Sequence, residues 1–413
     1  MKGTPRDMRL HIGFFGRRNA GKSTLLNALT GQETAIVSPV PGTTTDPVEK
    51  AMEIHGLGPV VLVDTGGVDD GGEVGSQRTR RTFAALERCD VVLVVTDGTW
   101  GPWEEDLLAA ASSTGARCIV VFSHADRRIP DEKAARGLIE RGFPLLSVSG
   151  ATGWGLDLLR EEIVRAGREE SEEPRTIVAD LLPAGTVAVL VVPLDSEAPR
   201  GRLILPQVQA LRDLLDGGRL ALVTRDQELA TALRSLASLP RLVVTDSQAF
   251  EGVAAVVPRE VPLTSFSILF SRFLGDLPFQ VRSAAAAEGL RSGDRVLVAE
   301  GCTHHPNEDD IGRVKIPAWL RRRTGADLRF SFVQGRDFPE DLRPYSLVAH
   351  CGFCMGNRRE MAARIRRARA QGVPLTNYGV LIAHCLGILE RALEPFPEAR
   401  RAYEEVRGAG RLP

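Results

Sequence analysis

The chain has 413 residues, 43% of them hydrophobic, and its 52 Lys and Arg nearly balance 53 Asp and Glu, leaving a formal net charge of -1. That length suits roughly three domains of ordinary size. The balanced charge excludes a global pull toward nucleic acid or acidic lipid, so any anion site must be local.

No apolar run approaches the roughly 18 residues of a membrane span, and "MKGTPRDMRL" leads into an apolar strand without a signal-like stretch. The expectation is a cytoplasmic protein with no membrane partner and no nucleic-acid partner. Six cysteines, at 89, 118, 302, 351, 354 and 385, are too few for a disulfide scaffold of this size. In a reducing compartment they stay thiols, which turns attention to metal or redox work.

In chain order, short apolar runs alternate with amphipathic stretches: "LHIGFFG" (10–16), "VVLVDTGG" (60–67), "DVVLVVTDG" (90–98), "RCIVVFS" (117–123) and "PLLSVS" (144–149). Continuous apolar strands separated by helices predict a parallel sheet covered on both faces. The charged "REESEEPR" (168–175) reads as a linker, which sets a first domain at 1–170. A small α/β unit follows at 171–261, with strands in "TVAVLVVPL" (186–194), "LALVT" (220–224) and "RLVVTD" (241–246). It carries no chemical motif and reads as an assembly surface. The third unit, 262–413, opens with "LTSFSILFSRFLG", read as helical, and holds strands in "RVLVAE" (295–300), "DLRFSFV" (327–333) and "YSLVAH" (345–350). The expected class is α/β throughout.

"GRRNAGKS", Gly16 to Ser23, fits G-x-x-x-x-G-K-[ST] and lies between a strand and the helical "TLLNALTG". Glycines let backbone N–H groups close on phosphates, Lys22 neutralises the β and γ oxygens, and Ser23 offers a hydroxyl to Mg2+. Asp64, in "DTGG" at the end of the next apolar strand, can hold the Mg2+ through water, and Gly66 can offer its N–H to the γ-phosphate. Between them "PGTTTDP" (41–47) supplies Thr44, with Thr43 second, as a switch ligand to the metal.

On these motifs, residues 10–165 resemble the GTPases of the tRNA-modification and ribosome-assembly group. The resemblance implies GTP held by Gly16, Asn19, Ala20, Gly21, Lys22, Ser23 and Thr24. It also implies K+ held beside the phosphates by Asn19 in place of an arginine finger. Val68 stands where many signalling GTPases carry a water-positioning Gln, so hydrolysis should be slow without that cation. The base motif N-K-x-D departs, reading Ser123, His124, Ala125, Asp126. Asp126 can still accept both N–H donors of guanine. Ser149, Gly150 and Ala151, in "SVSGATGWGLDLL", match the later base-contacting loop.

"CTHH" (302–305) follows one strand of the third unit, and "HCGFC" (350–354) follows another. If those strands are parallel neighbours, both motifs emerge at the carboxyl edge of one sheet, where α/β folds bind ligands. Chemistry alone leaves a closed zinc site of three thiolates and an imidazole, a 4Fe-4S cluster with one exchangeable position, or a redox dithiol. Cys89, Cys118 and Cys385 sit in apolar contexts and read as core.

The order of a GTPase unit, a middle α/β unit, then C-x-H and H-C-x-x-C, resembles the iron-only hydrogenase maturation GTPases, with "CTHHPNEDDIGRVKIP" (302–317) adding to the match. The resemblance implies a 4Fe-4S cluster on Cys302, Cys351 and Cys354, with His304, His350 or Glu308 as candidate fourth ligand. It implies a homodimeric scaffold that receives a diiron precursor made with radical-SAM maturases and delivers it to apo-hydrogenase. The alternative from another class is an RNA-modification or ribosome-assembly GTPase with structural zinc. Directly after the CxxC, "NRREMAARIRRARAQ" (357–371) predicts a helix with Met361 and Ile365 inward, its arginines a solvated face or an electropositive rim.

Overall fold

The computed structural model describes residues 9–31, 48–66, 82–171, 176–194, 203–301, 310–335, 337–354 and 356–408. It divides into two compact units, residues 1–174 and 175–413.

The first unit is a six-stranded sheet in the order β2-β3-β1-β4-β5-β6. Its strands are β1 Leu10–Phe15, β2 Val48–Ile54, β3 Gly58–Asp64, β4 Val91–Thr96, β5 Arg117–Phe122 and β6 Leu145–Ser147. Every pairing is parallel except β2 with β3. Alternate residues of one strand feed two cores. Ile12 and Phe14 join Leu62, Leu93 and Val121 on one face, while Phe15 joins Val61, Val94 and Val120 on the other. This two-sided burial is why the strands read as unbroken apolar runs. Helices α1 Lys22–Thr30, α2 Pro102–Ser113, α3 Glu132–Glu140 and α4 Leu156–Ser171 are its long covering elements. The segment read as a linker is partly helix, because 168–171 complete the last turn of α4.

The second unit holds two parallel four-stranded sheets, β10-β9-β7-β8 and β12-β11-β13-β14. The first contains β7 Val187–Val191, β8 Leu220–Thr224, β9 Leu242–Thr245 and β10 Leu263–Ser265; the second contains β11 Arg295–Glu300, β12 Arg329–Gln334, β13 Leu347–His350 and β14 Leu375–Asn377. The stretch from 263, expected to be wholly helical, begins with β10 paired to β9. The helix α8, Phe266–Leu274, starts only where the Ser265 hydroxyl accepts the Ile268 amide. In chain order α5 Leu205–Asp216, α6 Leu229–Ser235 and α7 Phe250–Val256 precede α8, and α9 Leu277–Ala285, α10 Ile316–Thr324, α11 Arg358–Ala370 and α12 Tyr378–Cys385 follow it.

One hydrophobic core runs through both sheets of this unit: Val189 and Leu190 of β7, Ile268 and Leu269 of α8, Leu297 of β11 and Val348 of β13 belong to a single cluster. The α8 helix packs against α5, α11 and α12. No described helix is long and apolar enough to cross a membrane.

A shared core should unfold as a unit. Leu190→Ala should cost about 2–5 kcal/mol and should accelerate amide hydrogen exchange in peptides from β11 as well as β7. Acceleration confined to β7 would show that the two sheets unfold separately.

Candidate functional site

Two loops that leave the carboxyl edges of parallel sheets gather most of the chemistry-bearing residues. In the first unit β1 lies between β3 and β4, so the chain after β1 emerges at a switch point in strand order, where a crevice opens. Gly16 must be glycine, since a Cβ there would overlap the Val95 carbonyl oxygen. Asn19 is exposed with φ 60°, and Gly21 enters α1 with φ 86°. Lys22 is buried, and its Nζ donates to the carbonyls of Gly16 at 2.9 Å and Arg17 at 2.6 Å. The ammonium therefore caps its own loop from inside, the position from which it can turn to phosphate oxygens.

Parallel register places Phe14 beside Asp64. The Ser23 hydroxyl donates to Asp64 Oδ2 at 2.8 Å, while Asp64 Oδ1 is buried with no hydrogen-bond partner among the described residues. Burial raises the Asp64 carboxyl above its ordinary value, opposed by the Ser23 hydroxyl and the Lys22 charge. A hydroxyl beside a half-satisfied buried carboxylate fits a hard divalent cation such as Mg2+. Gly66 lies two residues past the end of β3; Thr43, Thr44 and Val68 fall outside the described residues.

The base-side loops close on the same ring. The Ser149 hydroxyl donates to Asp126 Oδ1 at 2.7 Å and holds that carboxyl below its ordinary value, with the charge of Arg127 adding. A Cβ on Gly150 would meet Thr24 at 3.2 Å and the Leu25 amide at 3.3 Å, so this loop lies against the start of α1. Ala20 is buried and Ala151 exposed. One anchor escaped the sequence reading: Arg17 Nε donates to Glu104 Oε1 at 2.6 Å and its NH2 to Oε2 at 3.1 Å, pinning the phosphate loop to the buried carboxylate of α2.

In the second unit β11 is again a switch strand, flanked by β12 and β13. Ala299 pairs with His350 in parallel, so Gly301 and Cys351 leave the same edge side by side. Cys302, His304 and Glu308 lie outside the described residues. The Cys351 sulfur accepts two backbone N–H bonds, from Gly301 at 3.1 Å and Phe353 at 3.4 Å. Such donors stabilise thiolate over thiol, the form a metal or cluster needs. Cys354 is half-buried in the same loop. Phe353 sits at φ 57° with its ring buried, and a Cβ on Gly301 or Gly356 would overlap that ring. Cys351 with its two amide donors, and Cys354 in the same loop, have the chemistry of ligands to an iron-sulfur centre and equally to another thiolate metal site.

His350 is fully buried. Its Nδ1 lies 2.9 Å from the Cys351 carbonyl and its Nε2 2.7 Å from Arg364 NH1, so both ring nitrogens are engaged. Burial, and then the adjacent Arg364 charge, push the imidazole down to about 3. Neutral His350 therefore donates from Nδ1 and accepts at Nε2. Arg364 was read as part of a solvated or rim face. It is buried instead: NH2 donates to Glu360 at 2.7 Å and to the Gly335 carbonyl at 3.0 Å, and the guanidinium lies over the rings of Phe353 and Phe338. Helical spacing hid it, because Arg364 lies beside the inward Met361 and Ile365. Arg358, Arg366 and Arg369 are the exposed arginines of α11. Cys89 and Cys118 are core residues, as expected, and burial pushes the Cys385 thiol up to about 12.

Comparison with known proteins follows this division. The Hydrogen maturase F tetramerization domain matches residues 278–395, the Hydrogen maturase F dimerization domain matches 177–275, and a 50S ribosome-binding GTPase domain matches 11–124. The tRNA modification GTPase MnmE of Heliobacterium modesticaldum is 40% identical over 157 residues, 36% of this chain and 32% of its own. The GTPase Der of Wolinella succinogenes is 35% identical over 167 residues, 38% of this chain and 35% of its own. The chain thus spans about a third of the length of these relatives. Among solved structures it is similar to Era of Aquifex aeolicus, at 19% identity and TM-score 0.36, over 56% of this chain and 99% of that one.

The Arg364 network generates a stability prediction. Arg364→Ala strips His350 and Glu360 of a buried partner and should cost about 3 kcal/mol, read by urea unfolding of the metal-free protein. A change below about 1 kcal/mol would mean that the guanidinium does not brace this loop.

Proposed function

The chain belongs to the hydrogen maturase F family, and from that premise we propose a GTP-hydrolysing carrier for hydrogenase maturation. In this reading unit one binds and hydrolyses GTP, and the second unit self-associates and carries a 4Fe-4S cluster. The protein receives a diiron precursor formed with radical-SAM maturases and passes it to apo-hydrogenase. The observation that carries the reading is the parallel pairing of β11 with β13, which brings Cys351 and the chain entering Cys302 to one sheet edge in a chain that also has a phosphate loop.

The residues take these roles. Lys22 turns from its loop carbonyls to the β and γ oxygens, and Gly66 offers its N–H to the γ-phosphate. The Ser23 hydroxyl and Asp64, with Thr44, would hold Mg2+, and Asn19 would hold K+ as charge develops. Asp126 accepts the N–H donors of guanine, with Ser149, Gly150 and Ala151 beside the base. Cys302, Cys351 and Cys354 would hold the cluster, which supplies an iron with an exchangeable ligand position. Because both nitrogens of His350 are already engaged, this reading favours His304 or Glu308 at that position.

Self-association has visible support in the middle sheet. Its edge strand β8 exposes Leu220 and Val223, and α5 exposes Val208 and Leu215. A homodimer covering this surface would bury them. The alternative, an RNA-related GTPase with structural zinc, draws only on the GTPase-domain relatives.

Anaerobically purified protein should contain iron and acid-labile sulfide near four of each per chain, the stoichiometry of one 4Fe-4S cluster. Stoichiometric zinc without sulfide would defeat the cluster reading. The two chemistries should also separate by mutation. Lys22→Ala should nearly abolish GTP hydrolysis and keep the cluster. Cys302→Ala, Cys351→Ala and Cys354→Ala should each lose iron-sulfur loading and keep turnover, which should be faster in potassium than in sodium buffer. A folded cysteine variant as inactive in hydrolysis as Lys22→Ala would contradict this separation.

A further inference from the structure

Two residues beyond β5 act on the phosphate loop through contacts that base recognition does not require. Ser123 is buried, and its hydroxyl lies 2.6 Å from the Ala20 carbonyl and 3.1 Å from that of Thr96. One hydroxyl has one proton, and the shorter contact takes it. His124 follows with φ 57°, its carbonyl accepting the amides of Arg127 and Arg128. The side chain then faces the phosphate loop, with Nε2 3.4 Å from the Asn19 carbonyl. The loop comes equally near from its own side: a Cβ on Gly21 would lie 3.2 Å from both His124 Nε2 and Ser123 Oγ.

Residues 19–21 are thus propped by 123 and 124, while Asp126 of the same segment is fixed by Ser149 on the base side. The pair joins the half of the site that would grip phosphate to the half that would grip base. The two props differ in strength. An O–H···O contact of 2.6 Å is a short, full hydrogen bond, whereas N···O at 3.4 Å lies beyond the usual 2.7–3.2 Å range and contributes little. An imidazole also has one N–H to offer this carbonyl. A lysine ammonium in its place would bring three donors, a full charge and a longer reach.

We propose that His124 sets the residence time of the bound guanine nucleotide. Its weak imidazole contact stands where a long cationic side chain would lock the phosphate loop to the base loop. With Ser123 supplying a strong tie and His124 a weak one, the loop and this segment separate more readily than two strong ties would allow, and GDP leaves correspondingly faster. Separation of the two parts must break both ties, so strengthening the weaker one slows it. The assignment rests on the reading of unit one as a guanine-nucleotide site.

The test is the release of a fluorescent GDP analogue from the full chain in Mg2+ buffer, chased with excess GDP in a stopped-flow instrument. His124→Lys should slow release about tenfold, the difference between a marginal neutral contact and a charge-assisted hydrogen bond. His124→Arg tests the same replacement with a second cation, in case Lys at a left-handed position impairs folding. Ser123→Ala, which removes the strong prop, should speed release several-fold. Release from folded His124→Lys or His124→Arg as fast as from wild type would overturn this assignment alone. A wild-type chain that binds no guanine nucleotide would instead overturn the nucleotide-site reading, and this assignment with it.

Discussion

Parallel pairing at a switch in strand order is the constraint on which both sites depend. In a parallel sheet every strand ends at the same edge, and where successive strands are added on opposite sides of one strand, the loops there part and leave a crevice. The first unit does this at β1, between β3 and β4, and the second at β11, between β12 and β13. Phe14 paired with Asp64 delivers the phosphate loop beside a buried carboxylate. Ala299 paired with His350 delivers the Cys351 loop beside Gly301, whose amide donates to the Cys351 sulfur. A slip of one residue in either pairing would send the carboxylate or the imidazole to the opposite face.

The two loops solve the same problem of exposed backbone polarity in different ways. The phosphate loop satisfies its carbonyls with its own lysine and with the Ser123 hydroxyl, and it is tethered to the buried Glu104 through Arg17. The cysteine loop turns its amides inward onto sulfur and is wedged by a buried phenyl ring that only glycine neighbours can accept. Behind it Arg364 carries a charge into the core, where two aromatic faces, a carboxylate, a carbonyl and the His350 imidazole offset its desolvation. A sulfur already fixed by two amides, next to a braced imidazole, loses little entropy when a ligand binds.

Much of this was legible in the linear sequence because it is local. Apolar runs covered on both faces marked the principal parallel strands, glycine spacing marked the loop before α1, and C-x-x-C marked two cysteines of one loop. The edge strand β2, the three-residue strands β10 and β14, and the helical character of 168–171 were not legible. The first three owe their existence to a neighbouring strand, and the last to the turn of α4 before it.

What the sequence determined by itself was therefore the set of chemical groups and their order: Lys22, Ser23, Asp64 and Asp126 in one unit, and the cysteines and their histidines in the other. Tertiary structure decided which of those groups are available. It engaged both nitrogens of His350, buried Arg364 in a helix whose Arg358, Arg366 and Arg369 are exposed, left one oxygen of Asp64 without a described hydrogen-bond partner, and set His124 against the phosphate loop. The physical reason is that composition and spacing fix which donors and acceptors a chain has. Which of them are already paired is settled by contacts between residues as far apart as Asn19 and His124, and those exist only once the sheets have formed.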